Sequence, residues 1–88
     1  MAKVVWTDAA LANLDGIEAY ILPFNPLAAQ RMSRRLIAAA LSLEGSPERG
    51  RPIGRTRELT AVWPYVIRYR IDGDVVTILR IRHGARRR

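Results

Sequence analysis

The stretch VIRYRIDGDVVTILRIR, residues 66–82, restricts the fold more than any other part of the chain. Period-two alternation runs through residues 66–71, breaks at Asp72-Gly73-Asp74 and resumes at Val75. Alternation on both sides of a glycine-containing turn predicts two antiparallel strands. A three-residue turn at 72–74 pairs Ile71 with Val75, Tyr69 with Thr77 and Ile67 with Leu79. That register makes one face almost wholly apolar, with Ile81 extending it. The other face then carries Arg68, Arg70, Arg80 and Arg82 beside Val66, Val76 and Ile78. A two-residue Asp-Gly turn is also good chemistry, but it sets Ile71 against Asp74 and Tyr65 against Arg80. Because a slip of one residue exchanges the faces, segregation favours the longer turn. One side builds a core and the other presents guanidiniums.

The rest of the chain supplies what such a hairpin needs. Residues 3–6 (KVVW) read as a short strand. Thr7 follows as a helix N-cap, with Asp8 in the first turn, where negative charge suits the helix dipole. Ala10, Leu14, Ile17 and Ile21 recur at helical spacing, with Leu11 flanking, and Pro23 ends this helix. Asn25-Pro26 caps and starts a second helix, expected to run to Glu44 before Gly45. Ala29, Met32, Leu36, Ala39 or Ala40, and Leu43 mark its buried stripe, and Arg31, Arg34 and Arg35 face away. Residues 45–56 hold three Gly and two Pro and read as an irregular loop. Residues 57–60 (RELT) form a strand candidate, and 61–64 (AVWP) lead into the hairpin, with Pro64 at a strand start or edge. The order predicts an α+β fold: an N-terminal strand, a helical hairpin, then a three-stranded antiparallel meander. Together they make one small, mostly antiparallel sheet with helices on one face, in a single domain spanning residues 1–88.

Charge is distributed unevenly. The net +7 combines fifteen basic residues, all Arg except Lys3, with eight acidic ones. Residues 1–44 balance Lys3, Arg31, Arg34 and Arg35 against Asp8, Asp15, Glu18 and Glu44, so the whole excess lies in residues 45–88. A one-sided arginine excess suits phosphates or carboxylates, because the guanidinium fork binds either bidentately. The partner is therefore a nucleic acid or an acidic protein, and charge alone does not choose. The chain has no cysteine, which excludes disulfides and thiol nucleophiles. The N-terminus lacks a signal-peptide pattern, and the longest apolar run, 36–41, is far too short for a membrane span. A cytoplasmic protein without membrane association is expected.

Classical enzyme chemistry is not visible. The carboxylates sit at helix starts, loops and turns, without acid/base or metal-ligand spacing, and no phosphate loop or zinc pattern is present. No cofactor or metal is expected. His83 is the only histidine; Arg82 and Arg86 stand near it as anion stabilisers, but no carboxylate is placed by sequence to orient the ring. Arg57 and Glu58 read as surface pairs. Trp6, Trp63, Tyr65 and Tyr69 have the chemistry to stack on bases, yet packing against the helices is the simpler assignment for most. Four arginines on one hairpin face are denser than solubility requires and repel one another. Arg49, Arg51 and Arg55 extend this anionic-ligand surface.

These residues also carry a resemblance. V-x-W-T-x-x-A, then Leu14, Ile17, Tyr20 and Ile21, then N-P-x-A-A at 25–29, R-E-L at 57–59, P-Y-x-I-x-Y at 64–69 and I-L-R-I-x-H-G-A-R at 78–86 occur in order. Together they resemble the RelE/ParE superfamily of bacterial type II toxin–antitoxin toxins over nearly the whole chain. The resemblance implies one of two activities. RelE-like members cleave messenger RNA in the ribosome, using basic residues on the open sheet face; ParE-like members poison DNA gyrase. The arginine of RelE-like toxins after the P-Y position falls on Val66. Two lysines near the R-E-L strand fall approximately on Thr56 and Glu58, and RelE's C-terminal tyrosine has no counterpart. The H-G-A-R ending resembles ParE-like members. The expectation is therefore a gyrase-inhibiting toxin with no active site of its own. The ribosome-dependent endoribonuclease, with His83, Arg82 and Arg86 catalytic, is the alternative. Either implies a cognate antitoxin, acidic and folding on binding, which alone contacts operator DNA. The expected antitoxin- or target-binding residues are Arg55, Arg57, Arg68, Arg70, Arg80, Arg82 and Arg86.

Overall fold

The two helices start where their capping residues dictate. Thr7 Oγ1 accepts a hydrogen bond from the Ala10 amide at 3.1 Å and opens α1 (Asp8–Ile21). Asn25 Oδ1 accepts from the Ala28 amide at 3.0 Å and, with Pro26 in the first turn, opens α2 (Pro26–Leu41). The structure, a computed structural model, describes residues 1–84. Five strands complete it: β1 (Lys3–Trp6), β2 (Arg51–Ile53), β3 (Thr56–Val62), β4 (Tyr65–Asp72) and β5 (Val75–His83). They form one sheet in the order β1-β5-β4-β3-β2, with β1 parallel to β5 and every other pair antiparallel.

The helical hairpin lies on one face of this sheet, α1 against β5 and α2 against β3. Ala10, Leu14, Leu36, Ala39, Ala40 and Leu43 meet Leu59, Val62, Tyr65, Ile67, Tyr69, Val76, Ile78 and Ile81 in one core cluster. The alanines of α2 let its backbone approach α1 and, over a smaller area, β3, and Arg31, Arg34 and Arg35 point to solvent as expected.

The central hairpin departs from the predicted register. Asp72 pairs with Val75 across a two-residue turn, Gly73-Asp74, with Gly73 at φ 60°. Primed two-residue turns need a positive φ at the first central position, which glycine supplies without strain. Ile71 then faces Val76 and Tyr69 faces Ile78, so near the turn Val76 and Ile78 enter the core in place of Val75 and Thr77. A β-bulge follows: Tyr69 pairs with Ile78 but Arg68 pairs with Arg80, which leaves Leu79 as the extra residue. The bulge restores the predicted facing beyond it, with Arg80 and Arg82 on the open face, but not the predicted pairing: Ile67 lies opposite Ile81 in the core rather than opposite Leu79. Burying Ile78 rather than Thr77 explains the preference, since each fully buried aliphatic side chain contributes about 1.5–3 kcal/mol.

A bulge disturbs the ladder, and β1 ends at Trp6, opposite Ile78. The exposed edge of β5 is satisfied by α1 instead. The Thr7 hydroxyl donates toward the Ile78 and Leu79 carbonyls at 2.9 and 3.0 Å, and Asn13 Oδ1 accepts from the Ile81 amide at 3.0 Å.

Three further boundaries differ from expectation. α2 stops at Leu41 and a 3₁₀ turn, Ser42–Glu44, carries Leu43 into the core. The strand around R-E-L runs further, to Val62, so Trp63 and Pro64, joined by a cis peptide, form the turn before β4 rather than its start. The loop after α2 contains a 3₁₀ turn, Pro47–Arg49, and the short strand β2. Tyr69 holds that loop down from beneath. Its buried hydroxyl donates to the Pro47 carbonyl at 2.6 Å and accepts from the Gly50 amide at 2.8 Å. Burial raises the Tyr69 pKa above its ordinary value, although the Gly50 hydrogen bond opposes the shift.

Gly50 permits this approach because a Cβ there would lie 2.6 Å from the Tyr69 hydroxyl oxygen and 3.0 Å from the Glu58 carbonyl oxygen. Gly50→Ala is expected to displace the tyrosine and lower unfolding free energy by about 1–3 kcal/mol, the cost of stranding buried polar groups. Urea denaturation measures this, and an unchanged midpoint would contradict the contact's role.

Candidate functional site

The face of the sheet opposite the helices is built by β3, β4 and β5. Cross-strand pairing sets Glu58 beside Arg68, Arg68 beside Arg80, and Val66 beside Arg82. Alternation sends Leu59, Ile67 and Ile81 to the core and turns these partners outward. The residues floor an open cleft of about 920 Å³, with Arg51, Trp63 and His83 on its walls.

Glu58 is the centre of this cleft, not half of a surface pair. It is 5% exposed. Its Oε2 accepts from Arg68 Nη2 at 2.5 Å, Arg68 Nε at 3.2 Å and Arg82 Nη2 at 2.7 Å. Arg51 Nη2 stands 3.8 Å from Oε1. Burial alone pushes a carboxylate's pKa up. Here the hydrogen bonds from Arg68 and Arg82, with their charges, outweigh burial and leave the Glu58 pKa below its ordinary value. Arg57, the expected companion of Glu58, points to the other face, where its Nη1 donates to the Gly50 and Glu48 carbonyls at 2.8 and 3.2 Å.

The arginines predicted as one surface thus fall into different states. Arg68 and Arg82 are held on Glu58, and Arg70 donates to the Asp72 carboxylate at 2.6 Å near the turn. Arg80 is exposed and makes no ion pair among the described residues, and Arg55 is exposed in the turn between β2 and β3. Arg86 lies outside the described residues.

Val66 is 3% exposed although it faces away from the helices. Gly84 packs between it and Trp63: a Cβ on Gly84 would lie 2.9 Å from Val66 Cγ2, 3.1 Å from the Trp63 ring and 3.1 Å from the Pro64 carbonyl oxygen. The Gly84 amide donates to that carbonyl at 2.7 Å. Trp63 itself is 63% exposed at the rim, the one aromatic of the four considered that does not pack inward. His83 sets its ring edge-on to Tyr65, with centroids 5.5 Å apart. It also borders a second hollow of about 420 Å³ between α1 and the end of β5.

Sequence reading missed two residues here. Glu58 was concealed because its role depends on which strands pair: only the β3–β4 and β4–β5 registers place two arginines around it. Asn13 lies on a helix face with no pattern to mark it, and its partner exists only because of the bulge.

Glu58→Gln keeps the side chain's size but removes the charge. It is expected to cost about 1–3 kcal/mol at pH 7, below the usual cost of breaking a buried pair, because Arg68 and Arg82 remain 24% and 35% exposed. A lowered folded-state pKa gives stability that is complete above the unfolded carboxylate pKa of about 4.3 and is lost as pH falls through the folded value. The gap between wild type and Glu58→Gln should therefore narrow below pH 4. Thermal melts at pH 7 and pH 3 check the sign; a gap that widens in acid would refute it.

Comparison with known proteins agrees with the fold. The family model described as "ParE toxin of type II toxin-antitoxin system, parDE" matches residues 4–88. Toxin RelE2 of Caulobacter vibrioides is 59% identical over 87 residues, covering 98% of this chain and 99% of that protein. A putative toxin, Y4kP, of Sinorhizobium fredii is 45% identical over 85 residues, 93% of this chain and 88% of its own length. A solved structure titled "Chromosomal ParDE TA system from P. aeruginosa" superposes with a TM-score of 0.85 at 28% identity, covering 94% of this chain and 96% of that one. The chain belongs to the ParE toxin family of type II toxin–antitoxin systems.

Proposed function

We propose that the chain arrests growth by binding DNA gyrase, without an active site of its own, and that a cognate antitoxin neutralises it in the cytoplasm. The observation that carries this reading is the state of the open face. Ribosome-dependent ribonuclease chemistry asks for cations free to meet the scissile phosphate. In this cleft Val66 is buried beside Gly84, and Arg68 and Arg82 are held on Glu58. What remains without an ion pair in this cleft, among the described residues, is Arg80, with the largely exposed Arg51 and the Trp63 indole on the walls. That suits protein docking, in which aromatic and arginine side chains supply most of the binding energy. The expected antitoxin is acidic and folds onto the basic half of the toxin, and operator DNA is contacted through the antitoxin.

A second reading is favoured by the name RelE2 borne by the Caulobacter vibrioides relative and by the position of His83 on the cleft wall. In it the chain cuts messenger RNA on the ribosome, with His83, Arg82 and Arg86 at the reacting phosphate.

Purified toxin added to gyrase, ATP and relaxed plasmid is expected to block supercoiling or accumulate cleaved DNA. Arg80→Glu should weaken that effect by at least tenfold while leaving the melting temperature near that of wild type. Normal supercoiling at saturating toxin, together with messenger RNA cutting in a translation extract that His83→Ala abolishes, would replace the gyrase reading with the nuclease one.

A further inference from the structure

We infer that the space between Arg68 and Arg82 is an oxyanion seat that the chain fills with its own Glu58 carboxylate, and that this filling keeps phosphates off the sheet face. Three N–H donors from two guanidiniums converge on a single oxygen, Glu58 Oε2, at 2.5, 2.7 and 3.2 Å. Convergent charged donors of this kind form the usual recognition geometry for phosphate as well as carboxylate. The seat lies at the floor of the open cleft, and its two arginines keep about a quarter and a third of their side-chain surface in solvent. A phosphate arriving from solvent meets donors already occupied and a fixed negative charge in contact with the position it would take. Glu58 stays ionised at neutral pH, since its pKa is lowered, so the seat stays filled.

The ligand class the seat would accept, once emptied of charge, is a phosphate monoanion or dianion or a nucleic-acid phosphodiester. Glu58 is therefore a specificity-determining residue that acts by exclusion. Arg51, 3.8 Å from the other Glu58 oxygen but with 77% of its side chain exposed, and Arg80, exposed on the cleft floor, keep their reach toward a partner's carboxylates. This inference concerns what the cleft floor rejects and does not rest on gyrase being the target.

The test measures a fluorescein-labelled single-stranded RNA oligomer by anisotropy, and inorganic phosphate by calorimetry, against the full chain. Three proteins are compared at several salt concentrations: wild type, Glu58→Gln, and Glu48→Gln. Glu48 is exposed in the Pro47–Arg49 turn, so its variant adds the same charge away from the seat. Glu58→Gln should bind RNA at least tenfold tighter than Glu48→Gln, show a steeper salt dependence from the added phosphate contact, and acquire saturable phosphate binding. Equal affinities for the two variants, or wild-type binding already as tight as that of Glu58→Gln, would overturn the inference. A second comparison needs no change at Glu58. Arg80→Gln should reduce the residual wild-type RNA affinity more than Arg68→Gln does, and the reverse order would overturn the inference as well. No arm uses gyrase, so failure here leaves the target assay standing, and failure of the target assay leaves this result intact.

Discussion

The extra residue at Leu79 decides which side chains each face of the sheet receives. A two-residue turn at Gly73-Asp74 sends Val76 and Ile78 inward. Had the ladder continued without interruption, the same parity would have turned Arg80 and Arg82 toward the helices, where a buried unpaired charge is prohibitive. The bulge absorbs the conflict. It lets the turn-proximal half of β5 obey the core and the distal half present its cations. The cost, a disturbed ladder edge, falls on α1, whose Thr7 and Asn13 take up the backbone groups left over. Helix, bulge and arginine face are therefore one arrangement.

On the open face the governing effect is electrostatic. Arg68 and Arg80 are cross-strand neighbours, and like charges so placed destabilise a sheet. Glu58 makes the arrangement tolerable by drawing Arg68 and Arg82 onto one carboxylate oxygen. Two kinds of arginine result on one small surface. Some are held in fixed positions and shape the cleft; others stay available at its edge. Net charge alone does not distinguish the two kinds.

Much of the architecture was legible because it rests on short-range physics. Caps at Thr7 and Asn25, the helical stripes and the strand alternation each follow from local spacing, and each led to the right element. The hairpin register was legible only in part. Faces beyond the bulge were assigned correctly, whereas Val75, Thr77, Val76 and Ile78 were exchanged, because turn length and bulge compensate each other over a distance that no local pattern encodes. β2 escaped because three residues containing a proline carry no alternation. At the site, the arginines were visible as a cluster, but not their division. That division depends on Glu58, whose importance comes from cross-strand pairing with residues ten and twenty-four positions away.

The parallel pairing of β1 with β5 has a consequence for the order in which the molecule assembles. Lys3 finds its partner at Val75, and Thr7 closes onto Leu79 across 72 residues. α1 likewise has β5 as its main sheet partner. Neither the first strand nor the first helix can complete its contacts until the last described strand is in place, so assembly waits on a long loop closure of the kind that slows folding. β5 also carries Arg80 and Arg82. The strand on which the N-terminal strand and helix must close is therefore also the strand that bears half of the basic hairpin face.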